Sequence, residues 1–263
     1  MHKNYSRKTI KETEDEPNSS LIVLFTDFGI IGPYVGQMKA AIHSITPKTR
    51  IVDLMHDAPQ FNPKFSSYLL AAYSQCFAIE TIFVAVVDPE VGGDRYPIII
   101  RADGKWFVGP NNGLFEMVIR RAKAIEAWKI NWQPTSLSAS FHGRDIFAPV
   151  AARIADGVMP ISETLNTKHI LKPNWPDDIP VVLHIDSFGN AITGLRSSFL
   201  NPKSILKFGK YSISYARVFS DVTQGECFWY ENSNGLIEIA INKGSADALG
   251  ITTGTPISVS MNR

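Results

Sequence analysis

Residues 21–29 read Leu-Ile-Val-Leu-Phe-Thr-Asp-Phe-Gly, an apolar run that stops abruptly at a polar turn closed by glycine. A run this short, rich in branched and aromatic side chains, has the signature of a strand buried on both faces. The next segment changes period. In YVGQMKAAIHSI, starting at Tyr34, Val35, Met38, Ala41, Ile42 and Ile45 share one helical face. Working outward, IVDLM from Ile51 and TIFVAVV from Thr81 repeat the buried-strand pattern, and a helix is predicted from Pro63 to about Cys76, with Pro63 at a favoured first-turn position. PIIIR and WFVG, joined through Ala102-Asp103-Gly104, read as a hairpin. Two further helices are predicted, GLFEMVIRRA from Gly113 and DIFAPVAARIADG from Asp145, the latter closed by Gly157. Strands alternating with helices predict an α/β unit, a mainly parallel sheet with helices on both faces.

The pattern changes at LKPNWPDDIP, residues 171–180, where three prolines and two adjacent aspartates mark a linker. Beyond it VVLHID, ISYARVF, CFWYE, LIEIAIN and TPISVS read as short strands separated by turn residues. The expected division is an α/β domain over 21–172, a linker over 173–180 and a smaller, barrel-like all-β domain over 181–263. Residues 1–20 are polar and mixed in charge, with no apolar core, and are expected to be a disordered extension rather than a signal peptide.

With 26 basic against 25 acidic residues and no basic stripe, the composition argues against a nucleic-acid partner. No apolar stretch approaches the roughly 20 residues of a membrane span. The two cysteines, Cys76 and Cys227, are far apart and outside metal-ligand spacing. Cys76 lies in an apolar run and is expected to be a buried free thiol, which fits a reducing compartment and a cytoplasmic protein.

Several turns carry chemistry-bearing residues. Asp27 stands at the carboxyl end of the first strand, where open α/β sheets collect ligands, and a carboxylate there can accept both protons of a ribose diol. A turn aspartate bonding its own backbone is the simpler alternative. The third strand ends in Asp88-Pro89-Glu90-Val91-Gly92-Gly93-Asp94-Arg95, and Asp88 and Arg95 can pair across this loop, for structure or for chemistry. Gly109-Pro110-Asn111-Asn112-Gly113 reads as an ordinary turn and helix cap. In Phe141-His142-Gly143-Arg144-Asp145, Asp145 suits a helix cap, while a neutral His142 is either a proton acceptor from water or a satisfied structural histidine. Asp186-Ser187-Phe188-Gly189-Asn190 combines groups suited to an ammonium and a flat base, or to a β-turn. Glu231-Asn232-Ser233-Asn234-Gly235 is a hairpin turn. The G-x-G spacing of a Rossmann methyltransferase is missing after the first strand, as are P-loop, G-x-S-x-G, H-E-x-x-H and paired C-x-x-C motifs, which argues against zinc and phosphate chemistry.

Taken in order, T-D-F-G at 26–29, Y-V-G-Q-M-K from Tyr34, the Asp88–Arg95 loop, P-N-N-G, F-H-G-R-D, D-S-F-G-N and N-S-N-G-L-I-E-I-A resemble one family: the S-adenosylmethionine hydroxide adenosyltransferases, adenosine-forming hydrolases related to the fluorinase and chlorinase. The resemblance runs from about Leu21 to Val259. It implies an α/β domain followed by a β-barrel, and a homotrimer with active sites between the N-terminal domain of one subunit and the C-terminal domain of the next. It places a catalytic Asp-Arg-His set on Asp88, Arg95 and His142, and ribose binding on Asp27. Phe61 falls where an aromatic packs near the reacting carbon, with the backbone around Gly143 shaping the pocket. Asp186 and Asn190 match methionine and adenine contacts, Phe188 a stacking residue, Ser233 an adenine contact, and Glu238 a further substrate contact.

The chain departs from the family pattern at Glu90, usually glycine, where it adds a charge to the loop carrying Asp88. It departs also at Gly32, Gly194 and Asn111. The resemblance implies that S-adenosylmethionine is the substrate, with no separate cofactor and no metal. Water attacks its ribose C5′, with His142 and Asp88 orienting and partly deprotonating the nucleophile and Arg95 fixing Asp88. The alternatives are a halogenase using chloride or fluoride, which gains little from a charged triad, and a binding protein for S-adenosylmethionine or adenosine with little turnover.

Overall fold

The computed structural model describes residues 20–261; the expected disordered extension, but for Ser20, lies outside the described residues. Seven strands form the first sheet: β1 (Leu21–Thr26), β2 (Arg50–Met55), β3 (Ile82–Val86), β4 (Pro97–Ala102), β5 (Lys105–Pro110), β6 (Ile125–Ile130) and β7 (Ser162–Thr164). Their order is β2-β1-β3-β5-β4-β6-β7. The first four in that order pair in parallel, and the β4–β5 hairpin turns the sheet antiparallel toward β6 and β7. That hairpin turns on Asp103 and Gly104, both at positive φ, as an Asp-Gly turn requires.

The alternation of β1 builds both layers. Ile22 and Leu24 face α1 (Tyr34–Ile45) and α4 (Ala148–Ala155), packing with Met38, Ile42 and Val150. Val23 and Phe25 face α2 (Pro63–Tyr73) and α3 (Glu116–Arg121), packing with Tyr68, Leu69 and Met117. All four β1 residues are fully buried, each contributing about 1.5–3 kcal/mol of burial. Truncating Phe25 to alanine removes about 3–5 kcal/mol.

The helices differ from the sequence reading at their ends. Helix α2 starts as expected, with Asn62 accepting the Phe65 N–H and Pro63 in the first turn, but stops at Tyr73. A 3-10 turn over Ser74–Cys76 then changes the phase, so Phe77 packs on the core and Cys76 is exposed, not buried. Gly113 has φ +97° and sits against the Trp175 ring, so α3 begins only at Glu116. Residues Gly143–Phe147 are wound as a π-turn before α4. Asp145 therefore caps no helix; its carboxylate accepts the Ser138 N–H and the Arg144 Nε–H.

The proline-rich segment is clamped rather than free. Arg120 donates to the carbonyls of Trp175 (2.6 Å) and Lys172 (2.7 Å) and pairs with the buried Glu116. The Tyr68 hydroxyl donates to the Pro176 carbonyl, and Asp178 pairs with Arg196. After it come β8 (Ile179–Ile185), β9 (Ala191–Arg196), β10 (Ser204–Phe208), β11 (Tyr211–Ile213), β12 (Cys227–Glu231), β13 (Leu236–Ile241) and β14 (Ser258–Met261). They make a sheet ordered β12-β13-β9-β8 and another ordered β11-β10-β14. Bridges Val181–Pro256 and Tyr215–Trp229 join the two sheets at both edges, which closes the barrel. Its core is built on Leu206, Trp229, Ile237 and Ile239. No helix among the described residues is long and apolar enough to cross a membrane.

Candidate active site

The loops at the carboxyl ends of β1 and β3 meet the His142 turn. Asp88 and Arg95 close the β3 loop with a two-pronged pair: Arg95 Nε donates to Asp88 Oδ1 at 3.1 Å and Nη2 to Oδ2 at 2.5 Å. Both side chains are almost fully buried, at 3% and 4% exposure. Arg95 Nη2 also lies 2.7 Å from His142 Nδ1. Two features bring the loops together. Gly92, at φ +81°, lies so close to the Ala139 carbonyl that a Cβ would sit 2.3 Å from its oxygen. Arg95 also stacks over the Phe147 ring at 5.4 Å, inside the π-turn that follows His142. A widened helical turn is a common way of aiming a functional residue.

This geometry assigns the histidine tautomer. A guanidinium only donates, so Nδ1 accepts and the ring proton lies on Nε2. Burial and the Arg95 charge hold the His142 imidazole below its ordinary range, against the opposite pull of Asp88 and Asp145. The ring is neutral at neutral pH, with Nε2–H as its remaining polar edge. With Nδ1 engaged by Arg95, Nε2–H is the edge that His142 leaves for a ligand.

Asp27 Oδ2 accepts the Phe61 N–H at 3.0 Å. Its carboxyl is raised above the ordinary range, chiefly by burial and also by Asp88, while the backbone donors of Phe61 and Asp27 pull the other way. Phe61 is held at φ +54° and is 71% exposed. A non-glycine residue in that region costs on the order of 1–3 kcal/mol, a strain typical of functional loops. Gly143 is buried against Phe141, Phe28 and Met38.

The barrel carries a second cluster. A cleft of about 930 Å³ is lined by Asp186, Phe188, Asn190, Ser233 and Glu238, together with Tyr73 from the end of α2. Asp186 Oδ1 accepts the Phe188 and Asn190 N–H groups, the turn role foreseen for it, while Oδ2 holds only a long contact to Asn190 Nδ2. Phe188 is 81% exposed. Glu238 accepts from the Tyr230 hydroxyl and from Asn232 Nδ2 at 2.9 Å, and burial raises its carboxyl above the ordinary range. Its oxygens thus organise the cleft wall. Tyr73, Phe219 and Lys243 line the same cleft. Sequence reading missed them; only the φ of +56° at Lys243 marks that residue locally. The structure brings Asp88, Arg95 and His142 together and gathers the barrel residues separately, with none of the first group lining the second cleft. Among the described residues no group of His, Cys, Asp and Glu is arranged to hold a metal ion.

Both halves of the chain have counterparts. Residues 22–164 match the N-terminal domain of SAM hydroxide adenosyltransferases, and residues 181–258 match their C-terminal domain. The chain belongs to the SAM hydroxide adenosyltransferase family. It is 35% identical to the (R)-S-adenosyl-L-methionine hydrolase of Thermus thermophilus, covering 90% of this chain and 98% of that protein. It is 32% identical to the hydrolase of the same name from Salinispora tropica, over 89% and 95% of the two chains. A fluorinase of Nocardia brasiliensis is more distant, at 23% identity over 86% and 91%. The crystal structure of a conserved protein from Thermotoga maritima superposes with a TM-score of 0.78 at 29% identity, covering 90% of this chain and 99% of that one.

Within the SAM hydroxide adenosyltransferase framework the departures are locally accommodated. Glu90 is exposed at the tip of a turn closed by Val91 N–H on the Asp88 carbonyl, and it does not need the positive φ that would demand glycine. At Gly194 a Cβ would lie 2.1 Å from the Ile179 side chain, so glycine there lets β8 approach β9. Asn111 donates its N–H to the Tyr96 carbonyl.

Proposed function

We propose that this enzyme hydrolyses S-adenosyl-L-methionine to adenosine and L-methionine by attack of water on ribose C5′. The observation that carries the reading is the buried Asp88–Arg95 pair in contact with His142, in a chain that matches the family over both domains. The C5′–S bond breaks with its electron pair going to sulfur, the C5′–O bond forms, and the water gives up a proton. The sulfonium is already a good leaving group, so the protein's task is to place and polarise the nucleophile in a water-poor pocket.

Arg95 is the hub of that task. Its charge fixes Asp88, engages His142 Nδ1, and favours hydroxide over water nearby. His142 Nε2–H orients the nucleophile, and the lone pairs of Asp88 not used by Arg95 receive its proton. Asp27 takes the ribose diol, Phe61 and the Gly143 backbone flank the reacting carbon, and Asp186, Phe188, Asn190, Ser233 and Glu238 form the methionine and adenine end. Halide needs no such charged set, and the greater similarity to hydrolases than to the fluorinase agrees with water as nucleophile.

The active form in this reading is a homotrimer in the cytoplasm, each site shared between the α/β half of one subunit and the barrel of the next. Supporting it, the two clusters do not share a cleft within one chain, and Ile30, Ile31, Phe61 and Phe188 are 71–100% exposed. Large apolar side chains left open beside two half-sites suit burial by another copy. The test is chromatography of nucleosides from purified protein and S-adenosylmethionine, with and without chloride. Adenosine that accumulates with time, and is lost in His142→Ala, supports hydrolysis. A 5′-chloro nucleoside, or tight binding with no product, overturns it.

A further inference from the structure

A carboxylate that reads a diol must be aimed, and a chain of hydrogen bonds, exposed at its outer end and buried at its inner one, leads to the residues on either side of Asp27. Lys39 Nζ, on α1, donates to Asp53 Oδ2 of β2 at 2.5 Å. Asp53 Oδ1 accepts from His56 Nε2 at 3.0 Å. His56 Nδ1 lies 2.8 Å from Thr26 Oγ1, and Thr26 Oγ1 accepts the Phe28 N–H at 3.3 Å. A carboxylate accepts only, so in the neutral ring the proton sits on Nε2 and Nδ1 accepts the Thr26 hydroxyl hydrogen. Each donor then has one acceptor, and the chain runs in a single direction from the Phe28 amide out to Asp53, where Lys39 balances the charge.

The inner end of this chain ties the residue before Asp27 to the amide of the residue after it. Backbone bonds reinforce the tie: Gly29 N–H donates to the His56 carbonyl at 2.6 Å, and Ala58 N–H to the Thr26 carbonyl at 3.1 Å. The same loop then delivers the Phe61 N–H to Asp27 Oδ2. Thr26 is 0% and His56 6% exposed. A buried polar pair that is hydrogen-bonded on both sides, as Thr26 and His56 are, rigidifies what it supports.

We propose that Lys39, Asp53, His56 and Thr26 are positioning residues, a relay that sets the direction of the Asp27 carboxylate toward a ribose diol. The inference rests on the assignment of Asp27 to the ribose, and its test separates the two. Dissociation constants for adenosine and 2′,3′-dideoxyadenosine are measured beside KM and kcat for S-adenosylmethionine. Thr26→Val keeps the shape and removes the hydroxyl. Its adenosine Kd and KM are expected to rise about three- to tenfold, the worth of one hydrogen bond, with the dideoxy Kd and kcat unchanged. Thr26→Ser restores binding. Asp53→Asn, at the half-exposed outer end, shifts the same ratio in the same direction and decides the matter if Thr26→Val does not fold. If Thr26→Val or Asp53→Asn weakens both nucleosides equally, or neither, while Asp27→Ala weakens adenosine alone, the relay is overturned and the ribose assignment stands. If Asp27→Ala shows no preference between the nucleosides, both are overturned.

Discussion

Replacing Arg95 by glutamine separates charge from shape at the hub of the site. Glutamine still donates hydrogen bonds but cannot reach Asp88 with two prongs and His142 with a third, as Arg95 does. Asp88, 4% exposed, is left as an uncompensated buried carboxylate, which costs about 3–5 kcal/mol. For a domain of this size that lowers Tm by roughly 10 °C. Losing a preorganised donor in a closed site lowers kcat by about 10²–10³-fold. The charge effect has its own signature. With Arg95 gone, one of the two influences that depress His142 disappears while the opposing pull of Asp88 remains. The acid limb of the rate profile must therefore move to higher pH. Adenosine release followed by chromatography from about pH 5 to pH 9, with the imidazole titrated by proton NMR, reads both effects. A variant with kcat within threefold of wild type and an unmoved acid limb would refute the assignment of Arg95 as the hub.

In the wild type, His142 has a depressed folded value, so its stability contribution is complete above about pH 6.5 and is lost as pH falls through the lower folded value. Thermal melts are expected to hold above about pH 6.5 and decline below it, with initial rates falling only as pH drops through the lower folded value; a fall in rate beginning above pH 6.5 counts against the neutral tautomer. Gly92→Ala forces a side chain onto the Ala139 carbonyl at φ +81° and pries the Asp88–Arg95 loop from the His142 turn. Activity is expected to drop by about 100-fold, the cost of misplacing reacting groups by an ångström, against a stability loss of only about 1–3 kcal/mol. A variant that loses this stability in denaturant melts yet keeps kcat within threefold of wild type would argue against this coupling. Glu90→Gly changes an exposed residue with ordinary backbone angles. Melting and turnover are expected to match wild type, with stability within about 0.5 kcal/mol; a large gain in kcat would show that the Glu90 charge reaches the nucleophile.

The outcome along the chain follows from how far each signal extends. Strands β1 and β3 were legible because Ile22, Leu24 and Val84 face one helical layer and Val23, Phe25 and Phe83 the other, leaving uninterrupted apolar runs. Strand β9 was missed because Ala-Ile-Thr-Gly-Leu-Arg contains a glycine that weakens the strand pattern, yet Gly194 is there to let Ile179 approach. The early start of the third helix and the buried Cys76 failed for one reason: apolar spacing does not report a positive φ at Gly113 or a 3-10 phase change at Ser74. The pairing of Asp88 with Arg95 could be read from one loop, but the contact of that pair with His142 could not. Positions 95 and 142 lie far apart along the chain, and only the 2.7 Å approach of Arg95 Nη2 to Nδ1 shows which imidazole nitrogen is engaged. The relay behind Asp27 was invisible for a related reason. Lys39, Asp53, His56 and Thr26 belong to a helix, a strand, a loop and a strand end, and no spacing along the chain predicts a network that exists only where β1 and β2 run side by side in parallel. Parallel pairing places the loops after β1 and β2 at the same edge of the sheet. That shared edge is what allows Asp27 to be aimed by residues far from it in sequence.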